Sequence, residues 1–271
     1  MKLSIITINF NDKTGLEKTI NSIINQTWAD FEFIVIDGAS TDGSKEILEK
    51  YQNQISHWIS EPDTGVYNAM NKGIRIANGE YLIFMNSGDS FVDPTILEKI
   101  APQLEFSTDI VFGDAIFVAN NDETIINFPK KLNFSFFYEN SLCHQSTFLH
   151  KSLFLDNQYN EYFKIVSDWE FNVKNICLYG KSYKHIDEVI CYYDLNGISS
   201  TQKILDLEER NKVYKIYFST FIDDYNNLKL LQDKRIKNII YIKQFNIPWK
   251  ILKAVSKAIF LFLPKQKKTG F

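Results

Sequence analysis

The stretch that decides the fold is Leu3-Ser4-Ile5-Ile6-Thr7-Ile8, which is followed by Asn9. It is short, apolar and rich in β-branched residues, which favours a buried strand. A second run of this kind covers Phe31 to Ile36 and ends in Asp37-Gly38. Between the two runs, apolar residues recur at helical spacing, at Leu16, Ile20, Ile23 and Ile24. The pattern predicts a strand, a helix and a second strand.

The alternation continues downstream of Asp37. Apolar residues at helical spacing predict a helix around Ile47, and Val66 to Ala77 predicts another. Short apolar runs predict strands at His57 to Ser60 and at Tyr81 to Met85. Buried strands separated by helices indicate a parallel sheet with helices on both faces. An antiparallel meander would need alternating strands and tight hairpins, and this region has neither.

The pattern becomes less regular after Asp89. Strands are predicted at 109–113, 115–118 and 189–194, and helices at 168–178 and 205–221. The aromatic segment 134–138 has no assignment. We therefore expect an α/β fold with a mixed, mainly parallel central sheet flanked by helices. We expect this domain to cover residues 1–220, and residues 221–271 to form a helical, basic amphipathic extension.

Composition excludes several classes of protein. The chain has 271 residues, of which 45% are hydrophobic and 23% charged, so extensive disorder is not expected. Its three cysteines, Cys143, Cys177 and Cys191, have no metal-binding spacing, which favours a reducing compartment. We expect no signal peptide and no membrane-spanning segment. The expected location is the cytoplasm, at the inner face of the cell membrane.

Charge is distributed unevenly along the chain. From Lys234 to Phe271 there are 10 basic residues and no acidic ones, which leaves 20 bases against 33 acids in the rest. The body is therefore acidic, whereas a duplex nucleic-acid binder would more often have a basic body. We expect no nucleic-acid partner.

Residues 248–263 form a basic amphipathic pattern. Lys250, Lys253 and Lys257 recur at helical spacing opposite an apolar face, and Trp249 precedes them. This is typical of a helix that lies in a membrane interface with its Trp at the headgroups. The alternative is a helix docked on the protein's own body or on a dimer partner. We favour the membrane.

Polar residues follow four of the predicted strands. In an open parallel sheet, ligands bind outside the carboxyl ends of the strands. The residues at those ends are Asn9, Asn11, Asp37, Glu61, Asp63, Asn86, Ser87 and Asp89. Each acidic or amide residue could instead cap a helix or turn, as we expect for Asp42. Taken together, the clusters favour a shared site.

The motifs that carry these residues resemble those of the bacterial family 2 glycosyltransferases over about residues 1–200. They are Thr7-Ile-Asn-Phe-Asn11, Gln26-Thr-Trp28, Asp37-Gly-Ala-Ser-Thr-Asp-Gly-Ser44, Asn78-Gly-Glu-Tyr81 and Phe84-Met-Asn-Ser-Gly-Asp89. The resemblance implies a glycosyltransferase A fold, a nucleotide-sugar donor and inversion at the anomeric carbon.

The resemblance also implies roles for individual residues. The implied donor-binding residues are Thr7, Asn9, Asn11, Asp37, Asp63, Asn68, Lys72, Asn86 and Ser87. Among them, Asp37 would accept hydrogen bonds from the base, which is compatible with uracil and makes a UDP-sugar the favoured donor. Thymidine and guanosine diphosphate sugars remain open.

Asp168, in Val166-Ser-Asp-Trp-Glu-Phe171, matches the catalytic base of the family, and Asp89 matches the last acid of its metal-binding motif. The acceptor-side residues would be His144, Gln145 and Trp169. A carboxylate near the acceptor hydroxyl can take its proton, and a divalent cation can neutralise the leaving diphosphate.

One departure from the family concerns the metal. The usual motif has two acids, but here Ser87-Gly88-Asp89 has one. Mn²⁺ or Mg²⁺ can be held by one carboxylate together with donor phosphates and water. We expect such a cofactor, bound weakly without the donor.

Three assignments keep an alternative. His144 could contact the acceptor or be purely structural, as we expect for His150 and His185. Glu170 could be the base instead of Asp168, although residues two apart on a helix do not share a face. The loop Asn196-Gly-Ile-Ser-Ser200 could close over the donor or be a plain turn.

The expected function is an inverting, metal-dependent glycosyltransferase. It would move a sugar from a nucleotide-diphosphate sugar to a saccharide or lipid-linked acceptor in surface polysaccharide synthesis. A dehydrogenase is excluded, because no Gly-x-Gly-x-x-Gly follows the first strand. A nucleotidyltransferase is not expected either, because it would need a glycine- and basic-rich loop near the N-terminus and the sequence has none there. A non-catalytic nucleotide- or carbohydrate-binding scaffold remains the alternative, and it would not require Asp89 and Asp168 together.

Overall fold

The computed structural model describes residues 1–119, 122–195, 197, 201–230 and 233–263. Contacts divide the chain into two compact units, Met1–Lys212 and Val213–Phe271. The division by contacts falls at Lys212 rather than at residue 220, and the functional domain boundary stays a prediction.

The first unit contains a nine-stranded sheet. Its strands are β1 (Leu3–Asn9), β2 (Phe31–Asp37), β3 (His57–Ser60), β4 (Tyr81–Phe84), β5 (Ser90–Phe91), β6 (Ile110–Ala119), β7 (Asp122–Ile126), β8 (Thr147–His150) and β9 (Tyr183–Asp194).

Helices flank the sheet and continue into the second unit. They are α1 (Lys13–Ile24), α2 (Ser44–Lys50), α3 (Val66–Ile76), α4 (Ile96–Ile100), α5 (Phe134–Glu139), α6 (Ser167–Val173), α7 (Lys203–Tyr217), α8 (Ser219–Leu230), α9 (Lys234–Ile242) and α10 (Asn246–Phe260). Short 3₁₀ turns cover Ala101–Gln103, His144–Ser146 and Lys151–Phe154.

The sheet has the order β3-β2-β1-β4-β8-β6-β9-β5, and β7 pairs with β6. Strands β3, β2, β1 and β4 are parallel to one another. Strand β8 runs antiparallel to both β4 and β6, whereas β9 is parallel to β6. The mixed sheet with flanking helices predicted from the sequence is confirmed, and its parallel half is the one that the first 85 residues predicted.

The core lies between the parallel strands and the helices that connect them. Ile5, Ile6 and Leu16 are completely buried. Gly73 allows α3 to approach β1 closely, since a Cβ at this position would lie 2.5 Å from the Cγ2 atom of Ile6. Burial of the β1 side chains on both faces explains why this strand is an uninterrupted apolar run rather than an alternating one.

Several elements differ from the predictions. The two strands predicted at 109–113 and 115–118 are one strand, β6, whose pairing with β9 shifts register at Gly113. The helix predicted at 168–178 is α6 followed by a π-helical turn, Lys174–Leu178. The helix predicted at 205–221 is two helices, α7 and α8, separated at Phe218. The unassigned segment 134–138 forms α5, which the Asn133 side chain caps by accepting from the Phe136 N–H.

The second unit is helical. Neither α9 nor α10, both within the described residues, buries a side chain. Across the described part of the chain, no helix combines the length and the apolar character that crossing a membrane requires.

A buried carboxylate, Glu32 on β2, joins two strands to the turn before β4. It accepts hydrogen bonds from the Ser4 hydroxyl at 2.6 Å, from the Asn78 backbone N–H and from the Gly79 N–H at 3.2 Å. Burial alone would raise the pKa of Glu32, but these hydrogen bonds favour the charged form and lower its pKa below the ordinary value. Glu32 is therefore a charged structural group inside the fold.

We expect Glu32→Gln to lower the free energy of unfolding by about 2 kcal/mol, because an amide presents a donor where the carboxylate accepts from several donors. A carboxyl with a lowered pKa in the folded state stabilises above its unfolded pKa and loses that contribution as the pH falls. The difference in the free energy of unfolding between wild type and Glu32→Gln should thus become smaller as the pH is lowered. Urea unfolding at neutral and acidic pH measures it.

Glu80→Gln is the matched control, since Glu80 is half-exposed and pairs with Lys2 at 3.3 Å. It should change stability by less than about 0.5 kcal/mol. Equal losses in the two variants would contradict the role given to Glu32.

Candidate active site

The carboxyl ends of β1, β2 and β4 meet at one edge of the sheet, and Asn9 connects them. Asn9 lies opposite Asp37 in the β1–β2 pairing, and its Nδ2 donates to Asp37 Oδ1 at 2.7 Å. On its other side, Asn9 Oδ1 accepts from the Ser87 hydroxyl at 2.9 Å. Three of the predicted donor-binding residues are therefore in direct contact.

Asp37 is completely buried, and its carboxylate is already fully engaged. Besides Asn9, it accepts from the Ser40 hydroxyl at 2.5 Å, the Ser40 N–H at 3.0 Å and the Ser60 hydroxyl at 2.6 Å. The expected hydrogen bond from a base would have to displace one of these donors. In this arrangement, Asp37 orders the loops after β2 and β3.

Thr7 is also buried, which corrects its expected place in the lining of the nucleotide pocket. Its hydroxyl donates to the Met85 carbonyl at 2.7 Å, so it ties β1 to the end of β4. Asn11 is exposed, adopts a left-handed backbone conformation with a φ of 50°, and accepts from the Thr41 N–H at 2.8 Å. Of these two residues, Asn11 is available to a ligand.

Asp63 lies against the end of β2. Its Oδ1 accepts from the Gly65 N–H at 2.9 Å, and its Oδ2 would be 2.6 Å from a Cβ at Gly38. The Phe10 ring also borders Gly38 and is 67% exposed. Sequence reasoning did not single out Phe10, although an exposed ring directly after a buried strand is a signal for a binding surface. A flat base can stack on such a ring.

Helix α3 directs its polar residues to two neighbouring segments. Lys72 pairs with Glu61 at 2.8 Å and donates to the Pro62 carbonyl at 2.9 Å, so its ammonium group lies at the loop that precedes Asp63. Asn68 donates to Glu161 at 2.8 Å. Lys72 thus supplies a positive charge beside the loop after β3, whereas Asn68 is engaged with the segment that leads to α6.

Asp168, in the first turn of α6, is held by two side chains from distant parts of the chain. Its Oδ1 accepts from the Tyr67 hydroxyl at 2.7 Å, and its Oδ2 is 3.1 Å from His144 Nδ1. His144 Nε2 in turn is 2.9 Å from Asn86 Nδ2. The side chains of His144 and Asp168 retain 18% and 15% exposure. A chain of contacts therefore connects the turn after β4 to the predicted base.

Burial and charge act in opposite directions on this pair. Burial would raise the pKa of Asp168, but the hydrogen bond and charge of His144, with the hydrogen bond from Tyr67, lower it below the ordinary value. Burial would lower the pKa of His144, but Asp168 raises it above the ordinary value. Each partner therefore favours the charged form of the other. Burial, followed by the charge of Asp168, raises the pKa of Tyr67, which keeps the phenol protonated as a donor.

Asp89 is buried near the start of β5. It accepts from Gln145 Nε2 at 2.6 Å and from the Asp194 N–H at 2.9 Å, and burial raises its pKa to about 6. Among the described residues, no cluster of three or more His, Cys, Asp or Glu side chains could hold a metal ion.

The donor set near Asp89 still has features that suit a hard cation. Each Asp89 oxygen accepts one hydrogen bond and keeps a lone pair. Asn86 Oδ1, in the same turn, is buried without a hydrogen-bond partner in the described structure. Oxygen donors of this kind fit Mg²⁺ or Mn²⁺, but they are too few to hold the ion without further ligands.

Two of the residues expected on the acceptor side, Gln145 and Trp169, lie inside the protein. Gln145 is buried and orients Asp89. Trp169 is buried, its indole N–H donates to the Phe137 carbonyl at 2.8 Å, and the Arg210 guanidinium lies 4.4 Å from the indole ring. Both residues stabilise the site from inside the protein. Of the three expected residues, His144 alone keeps part of its side chain exposed, at 18%.

The structure also gives the surroundings of the residues for which the sequence left an alternative. Glu170 is buried and pairs with Lys174 at 3.2 Å in the following π-helical turn, whereas the Asp168 side chain keeps 15% exposure. His150 contacts Ser152 and His185 contacts Asp114, in keeping with structural roles. Apart from Gly197, the loop expected to close over a donor at 196–200 lies outside the described residues.

The chain also matches known proteins. The profile described as Glycosyl transferase family 2 matches residues 4–162, more than half of the chain. A PGL/p-HBAD biosynthesis glycosyltransferase of Mycobacterium bovis (strain BCG / Pasteur 1173P2) is 30% identical over 214 residues, which are 76% of this chain and 81% of that protein.

Solved structures share the fold at lower identity. S. aureus TarS 1-349 in complex with UDP-GlcNAc is 22% identical with a TM-score of 0.59, over 72% of this chain and 58% of that one. The mannosyltransferase PcManGT from Pyrobaculum calidifontis, in complex with GDP-Man and Mn²⁺, is 15% identical with a TM-score of 0.55, over 71% of this chain and 56% of that one. With its mixed sheet, its polar strand ends and these matches, the chain belongs to glycosyl transferase family 2, has a glycosyltransferase A type of fold and is a glycosyltransferase.

Proposed function

We propose that this enzyme inverts the anomeric centre of a sugar as it transfers that sugar from a nucleotide diphosphate to a saccharide or lipid-linked acceptor. The product would contribute to surface polysaccharide synthesis. The observation that carries the proposal is the partly exposed carboxylate of Asp168, which Tyr67 and His144 hold in place, while His144 also contacts Asn86 in the turn after β4.

Asp168 is the proposed catalytic base. As the acceptor oxygen forms its bond to the anomeric carbon, the bond from that carbon to the diphosphate oxygen breaks. The hydroxyl proton passes to an Asp168 oxygen, and the nucleoside diphosphate leaves with the electron pair. Inversion follows when the base and the leaving group lie on opposite faces of the sugar.

His144 and Tyr67 are positioning residues in this proposal. They keep Asp168 ionised before the reaction, although the lowered pKa makes it a weaker base than a free carboxylate. Fixed orientation compensates for weak basicity, because a base held in the right place needs no reorganisation during the reaction.

Asp89 is the proposed protein ligand of a divalent cation, Mn²⁺ or Mg²⁺. When bound, the cation would neutralise charge on the leaving diphosphate. Gln145 holds the Asp89 carboxylate through one oxygen. Because the chain supplies few ligands, we propose that the donor phosphates complete the site and that metal and donor bind together.

A UDP-sugar is the proposed donor, and the structural neighbours that carry UDP-GlcNAc and GDP-Man support a nucleotide sugar in general. Phe10, Asn11 and the loop ordered by Asp37 form the proposed base and ribose surface. A hydrolysis screen over UDP-, GDP- and dTDP-sugars would identify the donor. The proposed location is the cytoplasm at the inner face of the membrane.

We expect Asp168→Asn to reduce turnover by at least about 100-fold while donor binding survives, because the amide keeps the shape but cannot take a proton. Steady-state kinetics and donor titration measure the two effects. Glu170→Gln is the control, and it should retain more activity than Asp168→Asn. Wild-type turnover in Asp168→Asn would remove this residue as the base.

We expect Asp89→Ala to weaken nucleoside diphosphate binding in Mn²⁺ and to leave the weak binding in EDTA unchanged. Calorimetric titration under the two conditions measures the difference. An equal loss in EDTA would show that Asp89 acts without metal. If wild-type binding itself is absent or independent of Mn²⁺, the result favours a binding scaffold over the proposed metal-dependent reaction.

We expect the pKa of His144 to fall in Asp168→Asn, because burial then acts without the opposing carboxylate. NMR titration of the histidine rings measures it, and the missing signal in His144→Gln identifies the resonance. An unchanged His144 titration would contradict the charge pairing.

A further inference from the structure

Helix α10 has an apolar face that nothing in the described structure covers. Ile247, Ile251, Val255 and Ile259 follow one another at intervals of four residues, so they form one row along the helix. They are 72%, 60%, 50% and 53% exposed. A helix of a water-soluble domain normally turns such a row towards a core.

The opposite face of α10 is basic. Lys250, Lys253 and Lys257 lie there, and all three are exposed. Trp249 lies at the border of the two faces, with the Lys253 ammonium 5.7 Å from its ring centroid. From residue 234 to residue 263 the sequence has seven lysines and arginines and no acidic residue. The segment therefore carries seven positive charges, of which Arg235 pairs with Asp233 at 3.4 Å just before it.

We propose that α10 binds the surface of an anionic lipid bilayer, lying in the plane of the interface. Its apolar row would enter the acyl boundary, the lysines would face the phosphate headgroups, and Trp249 would lie between them. A helix of 15 residues is about 22 Å long, less than the roughly 30 Å of hydrocarbon that a spanning helix crosses.

Charge favours a lipid surface over a second copy of this chain. In a symmetric dimer through the apolar row, two segments with lysines and arginines and no acids would come together. A second copy of α10 would offer these lysines and arginines no acidic partner, whereas anionic headgroups attract every one of them. The inference does not depend on the proposed reaction, because it concerns residues that take no part in it.

The test measures sedimentation of the full chain with vesicles of phosphatidylcholine containing one quarter phosphatidylglycerol, and with vesicles of phosphatidylcholine alone. We expect binding to the anionic vesicles that weakens in high salt, and at least about 10-fold weaker binding to the neutral ones. Absence of binding to the anionic vesicles, or equal binding to both, would overturn the proposal.

Two variants separate the contributions of the two faces. Lys250→Gln/Lys253→Gln/Lys257→Gln and Ile251→Ser/Val255→Ser should each weaken vesicle binding by at least about 10-fold. The control replaces three exposed lysines of the first unit, Lys45→Gln/Lys131→Gln/Lys203→Gln, and should bind like wild type. If the control variant bound vesicles as weakly as the α10 variants, the net charge of the protein would explain the loss of binding. That result would overturn the assignment to α10.

Circular dichroism and nucleoside diphosphate binding check that each variant keeps its fold. Sedimentation equilibrium without lipid tests whether a second copy of this chain covers the apolar row instead. A dimer that Ile251→Ser/Val255→Ser dissociates, in a chain that ignores anionic vesicles, would assign the apolar row to a second copy. A monomer that binds the vesicles supports the membrane surface.

Discussion

The hydrogen bonds of the Asn9 side chain to Asp37, Ser40 and Ser87 hold the ends of the parallel strands together. Asn9 donates to Asp37 and accepts from Ser87, so one amide fixes the ends of two neighbouring strand–loop units. This is available only because β1 lies between β2 and β4 and runs parallel to both. Parallel pairing brings all carboxyl ends to one edge, where a side chain with a donor and an acceptor can bridge them. The arrangement of the remaining polar groups depends on that bridge.

Strands β1, β2 and β4 of the parallel half were predictable because they are buried on both faces. Uninterrupted runs such as Leu3 to Ile8 carry that information in a few residues. The antiparallel half was not predictable, since β5 has two residues and β8 has four, and neither gives a period. Their places are set by pairing with β9, β4 and β6, which involves contacts over long sequence separations. For the same reason, the sequence predicted two strands where the structure has β6. A glycine at position 113 suggests a break, and the sequence does not show that pairing with β9 continues across it.

The candidate site was predictable as a set of chemical groups and not as a geometry. Strand-end positions identified Asn9, Asp37 and Asp89, and the structure brings the first two into contact. The sequence could not tell that Gln145 is buried and orients Asp89, because an amide beside a histidine suits a binding surface equally well. Nor could it find Tyr67, whose partner Asp168 is 101 positions away. Burial decides both cases, and burial is a property of the packed chain.

The turn after β4 contains two adjacent residues that face different partners. Ser87 contacts Asn9 on one side, and Asn86 contacts His144 on the other. Surface turns usually tolerate changes of length, because their ends stay fixed while the tip moves. Here an inserted or deleted residue would move one of the two contacts out of reach of its partner. The turn therefore does not tolerate a change in length of even one residue. Natural or engineered insertions and deletions are to be sought elsewhere in the chain.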